Sequence, residues 1–169
     1  MSRLLPKTAF ALSLCAGTAL AAATIPPAMT ANVTAERIGD GIAAFLPPGV
    51  TTYPHSLALL RTPEAKGALP AGWAIRPRYD RHDGKTRVTV PVPQGADLYG
   101  TGEVTGPLLR NGQQITLWNT DNFEYAKDDG KRLYQSHPWV LGVRPDGSAF
   151  GVLFDSTWRA TLATGSDIV

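Results

Sequence analysis

Turn signals recur along this chain at short, even intervals, and no stretch between them is periodic enough to form a helix. Gly39-Asp40-Gly41, Asp83-Gly84, Asn111-Gly112 and Pro145-Asp146-Gly147 each pair a residue that tolerates a left-handed backbone with short apolar runs on either side. After residue 21, no window keeps apolar residues at i, i+3, i+4 and i+7 for several turns. The period that does occur is two. Val88, Val90 and Val92 alternate with Arg87, Thr89 and Pro91, which puts the valines on one face of a strand. About ten such strands at even spacing predict an all-β fold, an antiparallel β-sandwich.

The expected strands follow from the turns. Residues 33–38 and 41–46 flank the first, and Pro47-Pro48-Gly49 ends the second run. Residues 56–61 are a third apolar run, and 62–72 read as a loop. Residues 73–80 and 85–93 form a hairpin around Arg81-His82-Asp83-Gly84, and Pro91 and Pro93 either make the second strand an edge or end it. Asn111-Gly112 signals a hairpin between Arg110 and residues 113–118. Residues 125–132 are charged and turn-rich, a protruding loop. Residues 139–144 and 148–155 pair around Pro145-Asp146-Gly147, and 158–164 begin a further strand.

The 169 residues, 43% of them hydrophobic, fit one domain with a real core. The first 21 read as an export signal. Arg3 and Lys7 precede an apolar, small-residue run, and Ala19-Leu20-Ala21 offers a cleavage site. That run is too short and too rich in Ala, Ser and Gly for stable membrane insertion. Cys15, the single cysteine, leaves with the signal, so the mature chain has no disulfide and no thiolate metal site. Leu14 before it departs from the small residue that lipidation requires. Cleavage also removes two basic residues and no acid. The 14 Lys and Arg that remain then match the 14 Asp and Glu, and no basic face for nucleic acid remains. The expected organisation is a signal at 1–21, a Pro-containing linker at 22–32 and a sandwich at 33–169, with the last residues reading as an incomplete end. The expected location is periplasmic or extracellular.

Rings, carboxylates and turn glycines are densest between Asp97 and Arg159. That mixture suits a surface that meets a sugar: rings stack on its apolar face, while carboxylates and amides take its hydroxyls. Glu103, Asp121 and Glu124 are candidates for sugar contacts or acid–base work. Glu103 reads equally as a structural carboxylate bonding loop amides, and Asp121 as an Asx turn. Asp128 and Asp129 read as a solvated turn. Trp118, Phe123, Tyr125 and Trp139 serve either as platform or as core. His55, His82 and His137 lack partners at metal-ligand spacing, so no metal or cofactor is expected, and His137 before Pro138 reads as structural. Gly100, Gly102 and Gly106 miss the spacing of a nucleotide loop, and Pro107 follows where a helix should begin. They read instead as a bulged strand that lets backbone approach closely.

Four motifs, in order, resemble the N-terminal sandwich of family 31 glycoside hydrolases: Tyr99-Gly100-Thr101-Gly102-Glu103, Leu117-Trp118-Asn119-Thr120-Asp121, Leu133-Tyr134-Gln135-Ser136-His137-Pro138 and Gly151-Val152-Leu153-Phe154-Asp155. The resemblance covers 33–169 and implies a galactose-mutarotase-like supersandwich. It also implies an α-glucosidase or α-xylosidase context with a carbohydrate substrate. In that family the two catalytic aspartates lie on a (β/α)8 barrel after the sandwich. Such a barrel takes about 250 residues, so no catalytic residue is expected in this chain. The resemblance carries one position over: Asp121 within Asn119-Thr120-Asp121 matches the family's sugar-contacting aspartate, with Trp118 and Phe123 shaping the rim. Phe123 departs from the hydroxyl residue of some members. Tyr99, Gly100, Gly102 and Glu103 would pack at the junction with the barrel. A free-standing carbohydrate-binding or structural sandwich is the alternative. Mutarotase-like activity would need a His/Glu pair in one pocket, which the scattered histidines do not suggest.

Overall fold

The computed structural model describes residues 33–50 and 68–169 in full, and the backbone of 11–16. Eleven strands follow in chain order: β1 (Ala11–Ala16), β2 (Thr34–Gly39), β3 (Ile42–Leu46), β4 (Arg78–His82), β5 (Lys85–Pro91), β6 (Asp97–Gly102), β7 (Gln113–Leu117), β8 (Ser136–Val143), β9 (Ala149–Asp155), β10 (Ala160–Thr164) and β11 (Asp167–Ile168). One sheet runs β2-β3-β1-β9-β8-β6 and the other β4-β5-β11-β10-β7. All pairings are antiparallel. Among the described residues there is no α-helix, and none therefore long and apolar enough to cross a membrane.

Rows of apolar side chains from both sheets meet in a shared core. Phe45, Leu98, Val140, Phe150 and Val152 come from the first sheet, and Val88, Val90, Ile115, Leu117, Leu162 and Ile168 from the second. Each such side chain contributes about 1.5–3 kcal/mol by leaving water. Two strand glycines make room for rings. Phe150 lies across its partner Gly142, where a Cβ would collide with it, and the Trp139 indole covers Gly151 in the same way on the outer face. Tyr79 ties the layers together by donating its hydroxyl to Phe45 O at 2.9 Å, and burial pushes its phenol well above the ordinary range. The Arg144 guanidinium closes the core 4.9 Å above the Phe150 ring.

The hairpins at β2–β3, β4–β5 and β8–β9 form where the turn signals lie. The β4–β5 turn is tighter than expected. His82 pairs with Lys85, leaving Asp83 and Gly84 at φ 49° and 72°, the two-residue form that matches strand twist. Of the two readings of Pro91, it ends β5, which lies inside its sheet between β4 and β11. Asn111-Gly112 turns the chain without making a hairpin, because β7 pairs with β10 instead. The segment before the turn follows β6 through single bonds. Arg110 N donates to Leu98 O at 2.7 Å, and the Asn111 side chain accepts from Leu98 N and donates to Ala96 O.

β1 occupies part of the expected export signal. It pairs with β3 on one side and β9 on the other, with Leu12 opposite both Phe45 and Phe154. Residues 1–10 and 17–32, which hold the rest of that signal and the linker, lie outside the described residues. So do the apolar run at 56–61, His55 and the first part of the loop at 62–72.

Candidate functional site

The site grows from the end of β6. Its register against β8 shifts between Gly100 and Gly102, and three successive residues take positive φ: Gly100 at 107°, Thr101 at 73° and Gly102 at 90°. Glycine is required at both flanks. A Cβ on Gly100 would stand 2.5 Å from Trp139 O, and one on Gly102 would run into Gln135 O. Thr101 is β-branched, buried, and held in a conformation that costs on the order of 1–3 kcal/mol. Beneath the kink lies Arg110, only 5% exposed. Its Nε donates to Gly100 O at 3.2 Å and its Nη1 to Pro107 O at 2.6 Å. Burial lowers its pKa without discharging it.

After the kink the chain staples itself to a neighbouring loop. Glu103 N donates to Gln135 O at 2.7 Å, and Gln135 N returns a bond to Glu103 Oε2 at 3.1 Å. Of the readings open for Glu103, the structure shows the carboxylate bonding a loop amide. Thr105 N donates to Gly130 O and its hydroxyl to Asp129 O.

That neighbouring loop, residues 118–135, leaves β7 and returns at β8. Its base is closed by Trp118 N on Ser136 Oγ, Ser136 N on Asn119 Oδ1 and Thr120 N on Leu133 O, at 2.7–2.9 Å. Its centre is Asn122, 1% exposed. The Asn122 amide donates to Lys127 O and Arg132 O and accepts from Lys127 N. Around it run two 3-10 turns, Phe123–Tyr125 and Asp128–Gly130. Asp128 sits in an exposed turn, as expected, and in addition takes Arg132 Nε at 2.5 Å.

What the loop shows to solvent is aromatic. Trp118, Phe123, Tyr125 and Tyr134 are between 48% and 74% exposed. Trp158, 60% exposed, lies two residues before β10, whose first residue Ala160 pairs with Leu117 at the end of β7. Asp121 is exposed among these rings. Its carbonyl takes Lys127 Nζ at 2.7 Å, but among the described residues nothing hydrogen-bonds its carboxylate, so no Asx turn forms. Trp118, Asp121 and Phe123 therefore share one loop. Glu103 is drawn into the staple, Tyr99 is half-buried on β6, and His137 is exposed on β8. No group of three His, Cys, Asp or Glu among the described residues could hold a metal ion. Rings beside a free carboxylate can stack on a sugar and accept from its hydroxyls.

The family model for the glycosyl hydrolase 31 N-terminal galactose mutarotase-like domain matches residues 45–162. The chain belongs to that family. The match takes in the β6 kink, the 118–135 loop and Trp158, so every part of the candidate site lies in the family 31 N-terminal domain proper. The chain is 46% identical over 65 residues to alpha-glucosidase 2 of Bacillus thermoamyloliquefaciens, covering 38% of this chain and 8% of that one. It is 42% identical over 85 residues to an alpha-glucosidase of Hordeum vulgare, covering 48% and 10%. A solved family 31 alpha-glucosidase from Bacteroides thetaiotaomicron is 61% identical over 46% of this chain and 13% of its own, with a TM-score of 0.40. The chain thus spans about a tenth or less of the length of these curated relatives.

Sequence reasoning missed three residues of the site. Asn122 and Arg110 are polar residues that turn inward, which no local pattern announces. Trp158 was expected inside a strand, but β10 starts two residues later and leaves the indole outside. The run of aromatic residues near Asp121 in the sequence was the available signal for this region.

Proposed function

We propose that this domain is the N-terminal, sugar-facing module of a retaining α-glycosidase that cuts α-glucosides or α-xylosides. Its catalytic (β/α)8 barrel belongs to a longer polypeptide. The ring-bearing end forms one wall of the substrate pocket. Asp121 bonds a sugar hydroxyl, Trp118 and Phe123 shape the rim, and Tyr99, Gly100, Gly102, Glu103 and His137 lie at or near the junction with the barrel. The chain is exported by a signal at residues 1–21 to the periplasm or the medium. The observation that supports this reading is that one loop, residues 118–135, carries four exposed rings and an exposed carboxylate with no partner among the described residues.

The test is Asp121→Ala in the full-length enzyme. One charge-assisted hydrogen bond is worth roughly 1.5–3 kcal/mol. Its loss lowers kcat/KM on maltose-like or xyloside substrates about ten- to a hundredfold. An unchanged kcat/KM takes Asp121 out of the site. The isolated chain supplies no nucleophile and leaves an aryl α-glucoside intact; turnover by the pure chain contradicts the assignment of catalysis to the barrel. The same platform would serve a free-standing carbohydrate-binding sandwich. Maltose binding by the isolated chain, abolished by Asp121→Ala and independent of any longer polypeptide, favours that second reading.

A further inference from the structure

We infer that Arg110 is the positioning residue of the ring-bearing loop, acting through the turn at residues 100–107. Arg110 is 5% exposed, and no carboxylate lies within ion-pair distance of it among the described residues. A buried cation without a counter-ion is costly, and a methionine would fill the same space without that cost. What arginine adds is a rigid fork of donors. Here the fork reaches both arms of one turn, Gly100 O at the strained kink and Pro107 O where the chain comes back. Arg110 is itself fixed from below, since its N–H donates to Leu98 O and its carbonyl accepts from the Thr164 hydroxyl and from Gln113 N.

The turn that Arg110 closes carries the contacts that hold the neighbouring loop. Glu103 exchanges two bonds with Gln135, and Thr105 reaches Asp129 and Gly130. The Gly130 position is crowded: a Cβ there would stand 2.5 Å from the Thr105 methyl and 3.1 Å from the Tyr125 ring. Freeing the turn therefore releases the backbone on which Tyr125 rests. A lysine in place of Arg110 keeps the charge but presents one point donor, which cannot serve both carbonyls in the same plane.

What the loop is held for rests on the sugar-facing reading, but whether it is held can be measured without sugar, so the two can fail separately. The measurement is limited trypsin cleavage of the full chain after Lys127, Lys131 and Arg132, timed by mass spectrometry. Arg110→Met is expected to be cut there about tenfold faster, as local opening becomes easier. Val152→Ala, a core change, provides a variant of matched melting temperature and is expected to leave those sites protected. Arg110→Lys is expected to fall between Met and wild type. If Arg110→Met does not fold, Arg110→Lys and Thr105→Val cut the same chain of contacts at its two ends and carry the comparison. Wild-type cleavage rates in the Arg110 variants, or equally fast cutting in Val152→Ala, overturns the inference.

Discussion

Asp121 and Asn122 are adjacent, similar in size and opposite in fate. The Asn122 amide is shut inside the loop with three backbone partners, whereas the Asp121 carboxylate faces water. The difference follows from chemistry: an amide both donates and accepts, as the loop interior demands, while a carboxylate only accepts. Asn122→Ala would leave the Arg132 carbonyl and the Lys127 N–H without these partners and remove one of the two bonds to the Lys127 carbonyl, which keeps Gly130 N. The expected cost is about 1–3 kcal/mol, read as a lower urea midpoint at unchanged slope. Asn122→Asp keeps one acceptor and loses both donors, so it should not restore stability. Asp121 stands out in the sequence because it sits in a motif, Asn119-Thr120-Asp121. Asn122 does not, since burial of one polar neighbour over another depends on where the loop closes, at Leu133 and Ser136.

At the scale of elements, turn chemistry predicted the hairpins at β2–β3, β4–β5 and β8–β9. It failed at Asn111-Gly112, whose dipeptide is as strong a signal as the others. The turn forms there, but strand partners are chosen by distant segments, and β10 arrives some fifty residues later to take β7. The same locality explains why the glycines of β6 could be read as a bulge while the arginine beneath them could not. Two glycines at similar φ separate backbone strain from crowding. Gly102 is at φ 90° against backbone of β8, and Gly147 is at φ 81° with nothing near a Cβ. Gly147→Ala is expected to cost about 1–2 kcal/mol, the left-handed penalty alone. Gly102→Ala adds a collision with the Gln135 carbonyl and is expected to cost clearly more, about 2–4 kcal/mol. Equal effects of the two in urea unfolding would mean that the β6–β8 approach is looser than described.

For the molecule as a whole, the all-β architecture was visible from patterning because short apolar runs alternate with turn signals and no helical period occurs. Which strand fills which place in a sheet was not visible, and β1 shows this most plainly. Ala11–Ala16 read as the apolar centre of an export signal, yet in the structure it stands between β3 and β9 and hydrogen-bonds to both. A chain beginning at Ala22 lacks it. That shorter chain is expected to self-associate at micromolar concentration through the two strand edges it uncovers, as sedimentation velocity would show against the chain with residues 1–21. A monomeric, equally stable short chain would mean that β1 contributes nothing to the sheet. If residues 1–21 are the export signal proposed above, secretion and folding compete for one hexapeptide. If a signal peptidase removes it, the vacancy beside β9 has to be taken by some other length of extended backbone before the sheet is whole.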